Sequence, residues 1–176
     1  MLKQRIEKTY QKFPYRADFE NGRTNIGGID LTKEPERIDE IVELSNLPKA
    51  KEAIYQLNVQ NTAFMTLGCA FGELSTFIGG YIEICLRPEI DNSLIDIMRL
   101  DELFFQHLAK NYNQRMVDYM ERALMSWEVH FATVDQSDSL PIVAIFVGAQ
   151  SYQDLDLTVE LLIQRLHQDF LYLTMS

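Results

Sequence analysis

The sequence is poor in the residues from which disulfide frameworks and metal centres are built. It has two cysteines, Cys69 and Cys85, and three histidines, His107, His130 and His167. Both cysteines lie in apolar, strand-like runs, so we expect buried free thiols and a reducing, cytoplasmic compartment. The histidines lie on three separate predicted elements and belong to no HxH or HExxH pattern, so we expect no metal site.

Long apolar runs and phosphate-binding glycine motifs are also missing. No apolar stretch reaches about 18 residues, and the N-terminal residues lack the apolar core of a signal peptide, so we expect no membrane span. The chain has no GxxxxGK[ST] motif and no GxGxxG after a strand, and we expect no cofactor. The pair Gly79-Gly80 lies within a strand pattern, where a β-bulge is the simplest interpretation.

Positive charge is scarce over most of the chain. There are 16 lysines and arginines against 26 aspartates and glutamates, a formal net charge of −10. Residues 1–16 carry +4, so the remainder carries −14. A body this acidic repels nucleic acid and anionic lipid and attracts basic partners, so we expect no nucleic-acid binding.

The composition itself is that of a globular domain. Of the 176 residues, 47% are hydrophobic and 24% are charged, enough for a core in a single domain spanning 1–176. Apolar residues recur with helical spacing over 2–13, 33–44, 47–58, 101–123 and 151–173. A long loop is expected at 14–32. Alternating apolar residues predict strands over 62–73, 77–87, 125–134 and 141–149.

These elements predict an α+β fold with a four-stranded, mainly antiparallel sheet in a β-β-α-β-β-α core, preceded by an N-terminal helical segment. A helical and loop part, 1–60, is expected to pack on a sheet and helix core, 61–173. The short link between the first two strands predicts a hairpin. Strand 141–149 is apolar on both faces and is expected at the centre of the sheet. Ser151 and Asp154 predict a capping box for the last helix.

Alternation along the strands places five polar side chains on one face of the sheet. Tyr81, Glu83 and Arg87 share a side of the second strand, and Glu128 and His130 share a side of the third. If the apolar sides face the helices, these side chains line the open face. A carboxylate can orient a histidine for acid–base chemistry, so Glu83, Glu128 and His130 are the fallback catalytic candidates. A solvated face with cross-strand ion pairs is the favoured interpretation.

Cys69 is the candidate nucleophile if the protein has one. Gly68 and Gly72 beside it would permit close approach of another backbone. The neighbouring residues are apolar, however, and Glu83 on the next strand would raise the pKa of the thiol. A packed core thiol is therefore the favoured interpretation.

Two acidic clusters are the candidate partner-binding surfaces. The sparser cluster, at the turn end of the sheet, contains Asp135 and Asp138, with Asp154 and Asp156 nearby. A solvated surface is the alternative interpretation of both clusters. The denser cluster lies on the predicted helix 33–44 and comprises Glu34, Glu36, Asp39, Glu40 and Glu43.

The acidity, together with the missing catalytic set, predicts a non-catalytic binding protein. We expect an immunity or inhibitor type of protein that neutralises a basic partner such as a toxin or nuclease. The architecture and acidity are loosely similar to toxin-immunity proteins and to secretion chaperones, an analogy of shape and charge. Two alternatives stay open: an adaptor or secretion-chaperone-like subunit, with a homodimer through 101–123, and a small enzyme using the Glu/His sheet face.

Overall fold

The computed structural model describes residues 3–4, 11–15, 27–60, 62–91, 95–134 and 139–169. Within these ranges, helices and strands form an α+β fold, which confirms the predicted class. The α-helices are α1 (Pro48–Val59), α2 (Leu100–Asn111), α3 (Gln114–Arg122) and α4 (Tyr152–Asp169). The strands are β1 (Lys3–Gln4), β2 (Gln11–Phe13), β3 (Phe64–Glu73), β4 (Ile78–Leu86), β5 (Leu124–Val134) and β6 (Ser139–Ala149). Short 3-10 helices span Pro35–Glu40, Val42–Leu44 and Ile97–Arg99.

Four long antiparallel strands form the body of the sheet in the order β3-β4-β6-β5. β3 and β4 form the predicted hairpin, and β6 lies between β4 and β5, as its apolar faces predicted. Two further strands, β1 and β2, both pair with β5 in parallel, so the predicted count of four strands is too low. Among the described helices, none combines the length and apolar character that crossing a bilayer requires.

The N-terminal helix predicted over 2–13 is wrong wherever that range is described, because Lys3–Gln4 and Gln11–Phe13 are strands. The remainder of that helix and residues 16–26 of the predicted loop lie outside the described residues. Phe13 pairs with Val134 and is fully buried. A helix of about 12 residues is marginal without tertiary packing, and pairing along β5 buries Phe13 instead.

The helix predictions are confirmed for α1 and α4 and corrected elsewhere. The range predicted as one helix over 33–44 contains two 3-10 helices. The range 101–123 is broken into α2 and α3. Tyr112 has an extended backbone at the end of α2, and Asn113 caps α3 by accepting a hydrogen bond from the backbone N–H of Met116 at 3.1 Å.

Hydrophobic cores form on both faces of the sheet. The larger core lies between the helices and one face, which carries Ile82 and Ile145. On the opposite face, Phe13 and Tyr15 pack over a smaller core that includes Met65, Leu67, Cys85, Ala132, Val134, Leu140 and Ile142. The face that was expected to be open is therefore covered, in this region, by the N-terminal segment.

The expected β-bulge at Gly79-Gly80 is wrong. β4 keeps a regular register with both β3 and β6 through these glycines. The register shift lies instead on β3, between Thr66 and Gly68. The glycines are explained by the close approach of neighbouring backbone, which leaves no space for a side chain.

Candidate functional site

The fold brings together two of the three fallback catalytic residues. His130 Nε2 lies 3.5 Å from Glu83 Oε1, and their side chains are only 1% and 10% exposed. Glu83 lies on β4 opposite Ala144, and His130 lies on β5 opposite Ile142, with β6 between them. Because the side chain of Ala144 is short, the two longer side chains can meet above the central strand.

Tyr15 covers this pair, and the sequence analysis missed it. Its hydroxyl donates a hydrogen bond to Glu83 Oε2 at 3.0 Å, and its ring packs edge-on against Phe13 with centroids 5.6 Å apart. Its carbonyl accepts a hydrogen bond from the backbone N–H of Gly28 at 3.0 Å. Burial, followed by the negative charge of Glu83, raises the pKa of the Tyr15 hydroxyl. The hydroxyl therefore remains a donor at neutral pH.

The other residues predicted for this face have surroundings of their own. Glu128 is half-buried and lies in the same row as Glu83, with Ala144 between them. Arg87 lies beyond the end of β4, and its guanidinium donates to backbone carbonyls at the C-terminal end of α1. Tyr81 packs its ring on an aromatic ring of β6, 5.7 Å between centroids. Of the five side chains, Glu83 and His130 therefore lie close together, whereas Arg87 contacts the end of α1 and Tyr81 contacts a ring of β6.

A small cavity lies beside the pair, at the outer edge of β3. This β3-edge cavity has a volume of about 80 Å³. Glu83 reaches it from β4, Tyr15 from the N-terminal segment and Glu43 from the 3-10 helix Val42–Leu44. His130 lies behind Glu83 and is not among the described residues that line the cavity. The lining is Tyr15, Gly27, Gly28, Ile29, Leu31, Ile41, Glu43, Ile54, Thr66, Leu67, Gly68, Cys69, Tyr81, Ile82 and Glu83.

Both cysteines are free thiols. Burial raises the pKa of Cys69 to about 12, and the charges of Glu43 and Glu83 raise it further in the same direction. Burial also raises the pKa of Cys85. A thiol that stays protonated at neutral pH is a poor nucleophile, so this environment favours the interpretation of Cys69 as a packed residue.

The denser acidic cluster is largely paired with cations. Arg37 lies 2.9 Å from both Glu34 and Glu40, and Lys51 Nζ lies 2.6 Å from Asp39. Hydrogen bonds from Arg37 lower the pKa of Glu40. Of the other two members, Glu36 is exposed and Glu43 lines the β3-edge cavity. Three of its five carboxylates are therefore paired with cations, and all three side chains remain at least half exposed.

The sparser acidic cluster does not form a described surface. Asp135 and Asp138 lie outside the described residues. Asp154 accepts a hydrogen bond from the Ser151 hydroxyl at 2.7 Å, within the predicted capping box of α4. Asp156 is buried against the first turn of α1. The two described members of this cluster therefore stabilise helix ends.

A larger recess lies between α3 and α4, and its α3 wall belongs to the range 101–123 for which a homodimer contact was left open. This α3–α4 groove has a volume of about 760 Å³ and reaches the C-terminal end of β6. The hydroxyls of Tyr119 and Thr158 lie 3.1 Å apart and join the two helices. Its lining is Asn113, Arg115, Met116, Asp118, Tyr119, Ala123, Gly148, Ala149, Gln150, Asp154, Leu157, Thr158 and Leu161.

No protein-family model matches the sequence, and no curated protein or solved structure is significantly similar to the chain. Within the described part of the chain, no group of three or more His, Cys, Asp or Glu side chains is arranged to hold a metal ion.

Replacing Tyr15 by phenylalanine should change stability in a pH-dependent way. Loss of the hydrogen bond to Glu83 should cost roughly 1–3 kcal/mol at neutral pH. Because the folded-state pKa of Tyr15 lies above its unfolded value of about 10, the wild type should lose stability as the pH rises past that value, by up to roughly 1.4 kcal/mol per pH unit. Tyr15→Phe lacks this loss, so the difference between the two proteins should shrink at high pH.

Urea unfolding of both proteins between neutral and strongly alkaline pH measures this difference. The comparison with Tyr15→Phe cancels the titration of lysines and of the other tyrosines. A constant difference across the whole pH range would contradict the assigned environment of Tyr15.

Proposed function

We propose that this protein is a non-catalytic binding protein that holds and neutralises a basic protein partner, for which a toxin or nuclease is the expected type. The observation that carries the proposal is the α3–α4 groove, a recess of about 760 Å³ whose lining is mainly apolar. Recesses of roughly 300–1,000 Å³ that combine apolar walls with a few polar groups are typical of binding sites.

The apolar walls of the groove provide binding free energy. Met116 on α3 faces the groove together with Leu157 and Leu161 on α4, and all three are only partly buried. Each leucine- or phenylalanine-sized side chain that a partner buried there would contribute about 1.5–3 kcal/mol. A short apolar segment of the partner is therefore the occupant that suits these walls.

Charge favours a cationic partner. The lining contains two carboxylates, Asp118 and Asp154, and one guanidinium, Arg115. The whole chain carries −10, which attracts a basic protein at long range and raises its association rate. This attraction weakens with added salt. A small enzyme at the Glu/His face receives less support, because Tyr15 covers a Glu83–His130 pair that is already buried.

Leu157→Lys tests the groove directly. A lysine on its wall should repel a basic partner and replace an apolar contact, and we expect the affinity to fall by about 30-fold or more. The matched control is Leu74→Lys, the same change at a leucine that is 53% exposed between β3 and β4. Thermal unfolding of both variants checks that each is folded.

The measurement is capture of a partner from the native cell by the wild type and by both variants. The expected result is a basic protein held in stoichiometric amount by the wild type and by Leu74→Lys, lost with Leu157→Lys and weakened by salt. The proposal would be wrong if no stable partner were captured, or if Leu157→Lys held the partner as well as the wild type did.

A further inference from the structure

The last residues of β3 form an outer edge of the sheet. β3 ends the strand order and, among the described strands, pairs only with β4. The backbone N–H of Leu74 donates to the carbonyl of Phe77 across the hairpin turn at 2.8 Å, which sets the phase of the ladder. Hydrogen-bonded and non-hydrogen-bonded pairs alternate along an antiparallel ladder, so the backbone groups of Cys69, Phe71 and Glu73 point away from β4.

The first residues of β3 also have outward backbone groups, but side chains satisfy them. Asn58 Oδ1 accepts a hydrogen bond from the backbone N–H of Thr66 at 3.1 Å. The carbonyl of Phe64 accepts hydrogen bonds from Thr62 at 2.8 Å and Arg87 at 3.2 Å. Within the described part of the chain, no such bond reaches the three outward residues at the end of the strand, which we call the open β3 edge. Backbone groups of this kind pair readily with another extended chain.

The open β3 edge also lacks the residues that usually prevent strand addition. Lysine and proline commonly protect outer strands, but neither occurs in residues 64–86. The register shift of β3 lies before this edge, between Thr66 and Gly68. Small residues, Ala70 and Gly72, separate the three outward residues, and a Cβ added at Gly72 would have no heavy atom within 4 Å. An extended backbone can therefore approach this part of β3.

The side chains along the open β3 edge have an alternating chemistry. Glu73 is exposed at one end. At the other end, Cys69 lines the β3-edge cavity together with Glu43, whose 3-10 helix packs beside β3. Phe71, between them, belongs to the larger hydrophobic core and shares their face of the sheet. A strand added here therefore meets acidic surface at both ends and apolar surface in the middle.

We propose that the open β3 edge binds an extended basic segment of another protein, which joins the sheet as an antiparallel strand. The segment has an apolar residue opposite Phe71 and a lysine or arginine two positions to either side, opposite Glu73 and Cys69. In such an addition the backbone provides the hydrogen bonds and alternate side chains provide the specificity.

Charge decides between this occupant and a second copy of the chain. Two copies paired antiparallel about Phe71 would place Glu73 of each copy opposite Cys69 of the other, at the end of the edge where Glu43 lies. Like charges that face each other across strands are destabilising, whereas a basic side chain at the same position is favourable.

A titration of the full chain with the peptide acetyl-Thr-Lys-Thr-Val-Thr-Lys-Thr-amide tests the proposal. The backbone amide signals of Phe71, Gly72 and Glu73 are followed by NMR up to millimolar peptide. We expect saturable shifts that weaken with added salt. The control peptide, with glutamate in place of both lysines, should not bind. No saturable response to the lysine peptide, or equal responses to both peptides, would overturn the proposal.

Two N-methylated forms of the lysine peptide test the strand pairing itself. In the proposed register the valine directs its N–H to the carbonyl of Phe71, whereas the N–H of the following threonine points away from β3. N-methylation of the valine should therefore weaken binding by about tenfold or more, and N-methylation of that threonine should have a much smaller effect. Equal effects would mean that the peptide does not bind as an antiparallel strand, and the proposal would be wrong.

Three variants of the protein locate the binding. Glu73→Lys should weaken binding of the lysine peptide by roughly fivefold. Glu36→Lys, the same change at an exposed residue of the denser acidic cluster, should leave it nearly unchanged. Leu157→Lys, in the α3–α4 groove, should also bind normally, so this inference and the proposed function fail separately. Binding that is lost with Leu157→Lys but kept with Glu73→Lys would place the peptide in the groove and overturn the proposal.

Analytical ultracentrifugation of the chain without peptide tests the competing occupant. We expect Glu73→Lys to leave the oligomeric state as it is in the wild type. A wild-type dimer that Glu73→Lys strengthens or dissociates, and that excludes the peptide, would assign the open β3 edge to a second copy and overturn the proposal.

Discussion

Gly80→Ala should prevent folding or lower the free energy of unfolding by more than about 4 kcal/mol. A Cβ at this position would lie 1.8 Å from the carbonyl oxygen of Ala70 and 2.8 Å from Cα of Phe71. These are backbone atoms of β3, the strand to which β4 is paired. They cannot move away unless the β3–β4 hairpin opens, so the clash cannot be relieved by a change of rotamer.

Gly72→Ala is the matched control for this prediction. Gly72 lies on β3 opposite Gly79, next to the pair formed by Phe71 and Gly80, and a Cβ there would have no heavy atom within 4 Å. This variant should fold with stability close to that of the wild type. Urea unfolding followed by circular dichroism compares the two. A Gly80→Ala protein with near wild-type stability would show that β3 lies further from β4 than described.

The close approach at Gly80 also bears on the candidate site. Tyr81 and Glu83 follow Gly80 along β4, and Gly68 lies on β3 opposite Glu83. The separation of the two strands therefore sets the distance between Glu83 Oε2 and the wall of the β3-edge cavity. A substitution that pushes the strands apart should change this cavity as well as the stability.

Asp156→Ala should lower the free energy of unfolding by about 2–4 kcal/mol. Helix α1 has no N-cap side chain of its own, because Leu47 occupies that position. The buried carboxylate of Asp156, on α4, accepts hydrogen bonds from the backbone N–H groups of Ala50 at 2.8 Å and Lys49 at 3.3 Å. Its removal would leave buried donors unpaired and remove a negative charge from the positive end of the helix dipole.

Asp39→Ala is the control, because Asp39 pairs with Lys51 of the same helix but its side chain is 82% exposed. Exposed ion pairs contribute little to stability, so this change should have a much smaller effect. Asp156→Asn, which keeps one acceptor oxygen, should lie between the two. Thermal or urea unfolding of the three variants provides the comparison. Equal losses for Asp156→Ala and Asp39→Ala would contradict the capping role.

Helix α1 is capped from outside the helix at its other end too. The guanidinium of Arg87 donates to the carbonyl of Asn58 at 2.7 Å and to that of Leu57 at 3.1 Å. Burial lowers the pKa of Arg87. A carboxylate thus lies at the N-terminus of α1 and a guanidinium at its C-terminus, the arrangement that favours a helix dipole.

Several elements were predicted correctly from their own residues alone. Strand β6 was predicted at the centre of the sheet because both its faces are apolar, and it lies between β4 and β5. Alternation also placed Glu83 and His130 on one face, where they meet. These predictions held because a strand has a side-chain period of two, which depends on no other part of the chain.

Other features could not be found in local patterns. Phe13 fits a helical stripe as well as a strand, and only pairing with β5 decides between them. Tyr15 lies in a stretch that carries only turn signals, yet it covers Glu83 from 68 positions away. Asp156 resembled a member of an acidic surface cluster, and its role depends on contact with α1. Each of these roles requires a partner that is distant in the sequence.

The sequence alone determined the α+β class, most strands, the helices α1 and α4 and the acidic charge, because periodicity and composition are properties of neighbouring residues. The tertiary structure decided which surfaces remain available. It buried the Glu83–His130 pair under Tyr15, paired much of the denser acidic cluster with Arg37 and Lys51, and formed the β3-edge cavity and the α3–α4 groove. A recess exists only between elements that pack together, so no single segment of the chain specifies it.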